Sequence, residues 1–418
     1  MNGDIKRTAS PLTPALSPLR GEGEQAVAIA GYGAITAVGC GVAALRSALR
    51  ANASGLRHSE RFAQARFQSS IVGAAPENGA GSDHDDPAYR LATEALRQAR
   101  EHAGDVLASI PSERIGLVLS TTKANLEALE RLADHRPCSE SARRHVQGDL
   151  LAADLAAEHG ARGPVQCVSL ACISGVVAIQ QGAKLIQRGA ADAVLVVGVD
   201  HLSAFVVAGF SALKALDPIG CRPFDRDRRG LSPGEAGAAI VLVRAGGDNL
   251  PKISNLKSET PRPITIRGWS TSNDANHMTG PSRDGSGLAR AIQSALRSAG
   301  LEPHEIDYVH AHGTGTAYND AMESQAVRTV FGSSSPPLSG SKGMIGHTLG
   351  AAGVVETIVC ALAMQDRLLP GTPRLNAAAE GAPAGLVFEP RPASRLQHIL
   401  KLNTGFGGVN GALVLGYG

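Results

Sequence analysis

The most reactive side chain in the sequence is Cys172, in the run V-S-L-A-C-I-S-G-V that starts at Val168. The run predicts a strand that ends at the cysteine and a helix that a Ser/Gly pair opens, which places the thiol at a helix N-terminus. Free backbone N–H groups and the positive end of the helix dipole favour the thiolate there, as a nucleophile requires. An isolated cysteine is equally often a small buried hydrophobe, and Cys167, inside the predicted strand, fits that description better.

Two histidines lie in turns rich in glycine. His312 follows a predicted strand in the run H-G-T-G-T, with Asp320 and Glu323 on the helix that comes next. His347 ends the run S-K-G-M-I-G-H, and Glu356 lies on the helix that follows it. A lone histidine is usually structural. Reactive groups gather at the carboxyl ends of strands in α/β folds, so two histidines in such turns indicate a catalytic site.

The elements that must position these residues form two successive α/β halves, in which short β-branched runs alternate with Ala/Leu-rich stretches of helical period. The predicted strands are residues 27–30, 115–120, 165–170, 193–199 and 238–243, and, after a polar stretch, 264–268, 306–311, 398–403 and 412–416. Helices are predicted over 89–103, 176–188, 287–299 and 353–365. The similar strand order of the two halves indicates duplication.

The predicted domain organisation has three parts. Residues 1–24 carry Pro and Gly at a spacing that blocks both helix and strand, so we predict a disordered tail there. Residues 25–255 form a first half that carries the cysteine, and residues 256–418 form a second half that carries the two histidines.

The composition places the chain among globular α/β proteins. It is 43% hydrophobic and 3% aromatic, with 49 glycines in 418 residues, which suits many tight turns. A formal net charge of +2 excludes the strongly basic face that nucleic acids select, so no nucleic-acid partner is expected. The six cysteines form no CxxC pair, so neither a metal site nor a disulfide framework is expected. No apolar stretch approaches about 18 to 20 residues and no signal peptide is visible, so we expect a cytoplasmic protein without a membrane span.

Together the motifs resemble those of the β-ketoacyl synthases, in the family's order and roughly its spacing, over about residues 26–418. They are the A-C-x-S-G turn at Cys172, the H-G-T-x-T turn at His312, the K-x-x-x-x-H spacing from Lys342 to His347, and G-F-G-G-V-N ending at Asn410. The resemblance implies the thiolase fold, in which two fused βαβαβαββ halves form a five-layered α/β/α/β/α sandwich, usually as a homodimer. A histidine at position 347, where initiating synthases carry Asn, points to the elongating classes I and II.

The resemblance also implies a mechanism. Cys172 would accept an acyl group from the phosphopantetheine thioester of an acyl carrier protein. The backbone N–H groups of Cys172 and Phe406 would bind the oxyanion. His312 and His347, as Nε2 donors, would stabilise the enolate formed when malonyl carrier protein loses carbon dioxide. Lys342, ion-paired with Glu356, would orient His347.

The same resemblance assigns supporting roles and partners. Thr314, Thr316 and Asn410 would contact the substrate and Phe406 would act as a gate, while Asp320 and Glu323 would support the site. The enzyme itself would bind no cofactor, because the substrates arrive on the phosphopantetheine of the carrier.

Several alternatives stay open at the level of the sequence. The product would be a 3-oxoacyl carrier protein in fatty-acid synthesis or in type II polyketide or polyene synthesis. A subunit of a ketosynthase/chain-length-factor heterodimer is the alternative to a homodimer, although non-catalytic chain-length factors lack the nucleophile. The carrier-docking surface is also open, because the acidic run at 83–86 stands where basic residues are common. Positive charge is available instead at Arg222, Arg226, Arg228 and Arg229.

Overall fold

The computed structural model describes residues 26–64, 67–76, 85–245 and 262–418. The predicted tail at 1–24 and the predicted boundary between the halves at 255/256 lie outside the described residues.

One large sheet runs through the described part of the chain. Its strands are β1 (Ala26–Thr36), β2 (Ile115–Ser120), β3 (Val165–Val168), β4 (Ala193–Asp200), β5 (Ala236–Ala245), β6 (Ile264–Asn273), β7 (Tyr308–His310), β8 (Leu338–Ser339), β9 (His398–Gly405) and β10 (Val409–Tyr417). Short strands pair outside this row: Gly39–Cys40 with the end of β1, Arg57–His58 with Ile71–Val72, and Leu368–Leu369 with Arg391–Pro392.

Helices connect these strands. They are α1 (Val42–Ala51), α2 (Pro87–Ala103), α3 (Asp105–Ala108), α4 (Leu126–Ala133), α5 (Glu140–Arg144), α6 (Gly148–Glu158), α7 (Ser174–Gln187), α8 (Ala204–Ala212), α9 (Ser286–Ala299), α10 (Ala317–Phe331), α11 (Lys342–Ile345) and α12 (Ala352–Asp366). Single 3-10 turns span Glu60–Phe62, Ser112–Arg114, Pro303–Glu305 and Leu349–Ala351.

The two halves have the same topology. The strand order is β3-β2-β4-β5-β1 in the first half and β8-β7-β9-β10-β6 in the second, so each half places its five strands in the order 3-2-4-5-1. In both halves the first two pairings in this order are parallel and the last two are antiparallel. The halves join where β1 pairs with β6, at Val27 with Ile266 and Ala28 with Thr265. This repeat confirms the predicted duplication.

Helices form layers between and outside the two halves of the sheet. Helices α7 and α12 contact strands of both halves, α7 against β4 and β10, and α12 against β5 and β9. Outside them, α2 packs on β1 and β5, while α9 packs on β6 and β10. The resulting order, helix, sheet, helix, sheet, helix, is the expected five-layered sandwich.

The middle layer holds the core of the protein. Helix α12 is buried at every position from Ala352 to Met364. The stretch Leu349–Asp366, which contains it, is the one helix in the described residues long and apolar enough to cross a membrane, and 89% of that stretch is buried inside the protein. Its apolar character is therefore accounted for by packing between the two sheets.

Most strand predictions agree with the structure, and the largest difference is at β1. The strand was expected over 27–30 and extends to Thr36, through two glycines that resemble a turn in the sequence. A Cβ at Gly31 would lie 2.3 Å from the carbonyl oxygen of Ala99, and one at Gly33 would lie 2.3 Å from that of Ala95. These glycines allow α2 to approach the strand closely, so they serve packing between layers.

Candidate active site

Cys172 lies in a strained turn between β3 and α7. The preceding residue, Ala171, has a φ of +45°, which is uncommon for a residue with a Cβ. The side chain of Ser174 closes the turn, since its Oγ accepts from the N–H of Leu170 at 2.7 Å and donates to the carbonyl of Ala171 at 2.6 Å. The thiol is thereby held just before the first turn of α7, with 9% of Cys172 exposed.

The environment of Cys172 favours the neutral thiol at rest. Burial is the largest influence and raises the pKa of the thiol to about 12, whereas the positive charge of Lys342 and the N–H of Phe406 lower it. Burial therefore opposes the ionisation that a helix N-terminus favours. The N–H of Phe406 hydrogen-bonds the sulfur, so it lies close to the oxygen of any acyl group attached there, on which an oxyanion would form.

His347 lies directly beside the thiol. Its Nε2 is 3.0 Å from Sγ of Cys172, and its Nδ1 accepts from the backbone N–H of Leu349 at 3.3 Å. An Nδ1 that accepts leaves the ring proton on Nε2. Burial, followed by the charge of Lys342, lowers the pKa of His347 to about 3. The ring is neutral at pH 7 and presents an Nε2–H donor to the cavity.

His312 reaches the same protonation state by a different route. Its Nδ1 accepts from Asn403 Nδ2 at 3.0 Å and from Lys342 Nζ at 3.2 Å, which again leaves the proton on Nε2. Burial and the nearby Lys342 hold its pKa well below the usual range. The ring centroid of His312 lies 5.2 Å from that of His347, with the two rings edge to face. The prediction that Lys342 orients His347 is wrong, since its ammonium bonds the other histidine.

Behind His312 lies a buried network of charges centred on Glu356. One carboxylate oxygen pairs with Lys342, and the other accepts from Lys401 Nζ at 2.6 Å and Asn403 Nδ2 at 3.0 Å. Burial alone would raise the pKa of Glu356, but the two ammonium groups hold it at about 2. Lys401 and Asn403 were missed in the sequence. Lys401 could have been found from its position in the middle of an apolar strand, where a lysine cannot reach water and therefore needs a buried partner.

Two carboxylates on α10 hold the backbone of the His312 turn. Glu323 accepts from the N–H groups of His312 at 2.6 Å and Gly313 at 2.8 Å. Asp320 accepts from the N–H of Thr314 at 3.0 Å and from that of Phe224 at 2.8 Å. Both side chains therefore fix the turn and do not themselves face the thiol.

A cavity of about 450 Å³ leads to the thiol. Cys172, both histidines and the two threonines, Thr314 and Thr316, line it. The threonine hydroxyls are 2.9 Å apart and stand along the approach to the sulfur.

The loop between β9 and β10 forms one wall of this cavity. Phe406 on that loop is 40% exposed, and its ring centroid lies 6.0 Å from that of Phe210 across the opening. Asn410 also lines the cavity, but its amide donates to Asp274 at 2.8 Å and to the carbonyl of Gly408 at 3.2 Å. The amide of Asn410 therefore holds the loop.

The candidate arginines for carrier docking have different environments. Arg222 and Arg228 are largely buried and lie 3.4 Å from Asp217 and 3.6 Å from Asp320. These two arginines are therefore not exposed for carrier docking, and the prediction is wrong for them. Arg226 is exposed and Arg229 lines the cavity. Of the acidic run at 83–86, residues 83 and 84 lie outside the described residues.

Comparisons with known proteins cover nearly the whole chain. The N-terminal domain of beta-ketoacyl synthases matches residues 24–246, and the C-terminal domain matches residues 264–376. A putative polyketide beta-ketoacyl synthase 1 of Streptomyces halstedii is 32% identical over 424 residues, which cover 93% of this chain and 97% of the relative. The 3-oxoacyl-(acyl-carrier-protein) synthase 2 of Vibrio cholerae is 30% identical over 420 residues, covering 93% and 98%.

Solved structures agree with the sequence relatives. The ishigamide ketosynthase/chain length factor superposes with a TM-score of 0.84 at 29% identity, covering 94% of this chain and 99% of that one. A ketosynthase (ApeO) in complex with its chain length factor (ApeC) from Xenorhabdus doucetiae gives a TM-score of 0.81 at 30% identity, covering 94% and 98%. With two domain matches in succession and relatives aligned along almost their full length, the chain belongs to the beta-ketoacyl synthase family.

Proposed function

We propose that this chain catalyses the decarboxylative condensation of an acyl chain with malonyl carrier protein. The observation that carries the proposal is the grouping of one thiol and two neutral histidines at the end of a single cavity. Both rings have Nδ1 occupied as an acceptor, so both present Nε2–H donors. That is a nucleophile together with an anion-stabilising pair, the two parts that the reaction needs.

The first half-reaction loads the enzyme. The sulfur of Cys172 attacks the thioester carbonyl of an acyl carrier protein, the bond to the phosphopantetheine sulfur breaks, and the thiol proton ends on the released carrier thiol. The N–H groups of Cys172 and Phe406 would stabilise the tetrahedral oxyanion. Thr314 and Thr316 would hydrogen-bond the pantetheine arm, while Phe406 would gate the opening.

The second half-reaction forms the carbon–carbon bond. Malonyl carrier protein loses carbon dioxide, and the electron pair of that bond becomes an enolate whose oxygen accepts from His312 and His347. The enolate carbon attacks the acyl group on Cys172, releasing 3-oxoacyl carrier protein and a thiolate that takes up one proton. No step requires a cofactor bound by the enzyme.

The partners follow from this chemistry. We propose an acyl carrier protein as the substrate carrier and a dimer in the cytoplasm as the working form, in fatty-acid or type II polyketide synthesis. A catalytic subunit paired with a chain length factor is the second candidate, because two of the similar solved structures are of ketosynthases with such a factor. Cys172 is present, so a non-catalytic role is not favoured.

The test is acylation followed by condensation on the purified chain. Acyl carrier proteins loaded with saturated and unsaturated chains of graded length are supplied, and intact-protein mass is measured before and after adding malonyl carrier protein. We expect a mass increase of one acyl group that Cys172→Ala abolishes, followed by release of carbon dioxide and return to the free mass. An acylated Cys172→Ala variant would contradict the assignment of the nucleophile.

A further inference from the structure

Leu349, whose N–H fixes the tautomer of His347, has a strained backbone. Its φ is +51°, in the left-handed region that costs a side chain with a Cβ about 1–2 kcal/mol. Such strain persists only where the surrounding structure holds it. The conformation directs the Leu349 N–H to Nδ1 of His347 at 3.3 Å. Something close to Leu349 must therefore prevent its relaxation.

The neighbouring residue, Gly350, is held at both of its backbone groups by the opposite half of the protein. Its N–H donates to Asp200 Oδ2 at 2.7 Å, and its carbonyl accepts from Ser120 Oγ at 2.7 Å. Asp200 ends β4 and Ser120 ends β2, neighbouring strands of the first half. A Cβ at position 350 would lie 2.8 Å from Asp200 Oδ2, so the backbone of Gly350 is packed directly against that carboxylate.

Asp200 is itself immobilised. It is fully buried and accepts from Thr121 Oγ1 at 2.9 Å and from Thr122, by the N–H at 3.0 Å and by Oγ1 at 2.7 Å. Its charge is paired with Lys123 Nζ at 3.2 Å. A carboxylate with this many donors is a fixed point from which the His347 loop can be positioned.

We propose that Asp200 is a positioning residue that keeps the ring proton of His347 on Nε2, acting through Gly350 and Leu349. The inference rests on the proposed function for the role of that proton. Without the hold on Gly350, Leu349 relaxes toward negative φ and its N–H turns away from Nδ1. The imidazole then admits the other tautomer, in which Nε2 is an acceptor and cannot donate to an enolate.

The test compares Asp200→Ala, which removes the acceptor of the Gly350 N–H, with Asp225→Ala. Asp225 is a matched control, because it is also buried and accepts from backbone N–H groups, at Asn376 and Ala377, whereas the hydrogen bonds of His347 go to other segments. Three quantities are measured: acyl loading, carbon dioxide release, and the ring ¹⁵N shifts of His347, assigned through His347→Gln. We expect Asp200→Ala to move those shifts toward the Nδ1–H tautomer. Loading should change little, and carbon dioxide release should fall about tenfold to a hundredfold, as is found for outer partners that orient metal-binding histidines.

The control should lose stability while its His347 shifts stay at the wild-type values. If Asp200→Ala does not fold, Ser120→Ala removes the other contact to Gly350 without exposing a charge and should move the shifts in the same direction. Unchanged shifts in the variant that folds, or equal losses of loading and carbon dioxide release, would overturn the proposal. A wild-type chain without carbon dioxide release would instead contradict the proposed function, since the shifts report the tautomer whatever reaction the site performs.

Discussion

The two histidines of the site present the same donor but are held in different ways. His312 is fixed by side chains, through Asn403 and Lys342, and these lead back to the buried carboxylate of Glu356. His347 is fixed by a backbone N–H, that of the strained Leu349. The Nε2–H donor of His312 is therefore set by charged and polar side chains, whereas that of His347 is set by the backbone conformation of Leu349. Substitutions in the Glu356 network should therefore affect His312 and folding together, whereas Ser120→Ala can alter the His347 loop without unpairing a buried charge.

The largest effect is expected from Glu356→Ala. The substitution leaves Lys342 and Lys401 buried without their shared carboxylate, and breaking a buried pair in this way costs about 3–5 kcal/mol. Carbon dioxide release should be lost along with that stability. The free energy of unfolding in urea measures the first and a decarboxylation assay the second. Stability within about 1 kcal/mol of wild type would mean that the network does not support His312 as described.

A smaller effect is expected from Lys401→Met, which removes one cation and keeps the pair between Lys342 and Glu356. Lys401 reaches His312 only through Glu356, and a hydrogen bond to a charged group contributes about 1.5–3 kcal/mol. We expect carbon dioxide release to fall about tenfold while acyl loading on Cys172 persists. Equal rates in variant and wild type would show that Lys342 alone is sufficient.

The turns that carry the three reactive residues could be predicted because their signals are local. The strand-turn-helix at Cys172 and the turn at His312 are each contained in about ten residues of sequence. The contacts that hold the two histidines from behind could not be predicted in the same way. Lys401 is 45 positions from Glu356, and Asp200 is 150 positions from Gly350, so only the folded halves bring them together.

The ionisation of Cys172 also depends on contacts between distant segments. A helix N-terminus is visible in the sequence and favours the thiolate. The burial that raises the pKa of the thiol to about 12 comes from residues of both halves packed around it. Likewise, the strand predicted to stop at residue 30 continues because α2 packs against its glycines. In each case packing between distant segments overrides the local signal.

The two imidazoles should add no pH dependence to carbon dioxide release near neutral pH. Burial and the charge of Lys342 lower the pKa of both rings and keep both neutral. The pKa of His347 is lowered to about 3, so the ring is neutral throughout the range above that value and gains a proton only as the pH falls toward it. We expect carbon dioxide release by Cys172→Gln, which imitates an acylated thiol, to show no histidine midpoint between about pH 6 and pH 8. Burial raises the pKa of Glu323, which holds the His312 turn, to about 7, so the profile is also measured with Glu323→Gln added. A midpoint near 6.5, the ordinary pKa of histidine, that remains with Glu323→Gln would contradict the neutral pair.

The smallest effect is expected from deleting residues 1–24. The segment has no apolar periodicity or capping signal, so melting temperature and activity should be nearly unchanged. Differential scanning calorimetry and the condensation assay measure both. A fall of several degrees in melting temperature would show that the segment docks on the protein.

The central claim is that the histidines serve the malonyl half-reaction and the thiol serves loading. His347→Ala tests it most directly through two rates on one variant, acyl transfer to Cys172 followed by mass, and carbon dioxide release from malonyl carrier protein. Acyl transfer should persist, while carbon dioxide release should fall about a hundred- to a thousandfold, the usual cost of losing one oxyanion donor. Equal losses in both rates would mean that His347 acts chiefly as the base for Cys172, and the division of roles would be wrong.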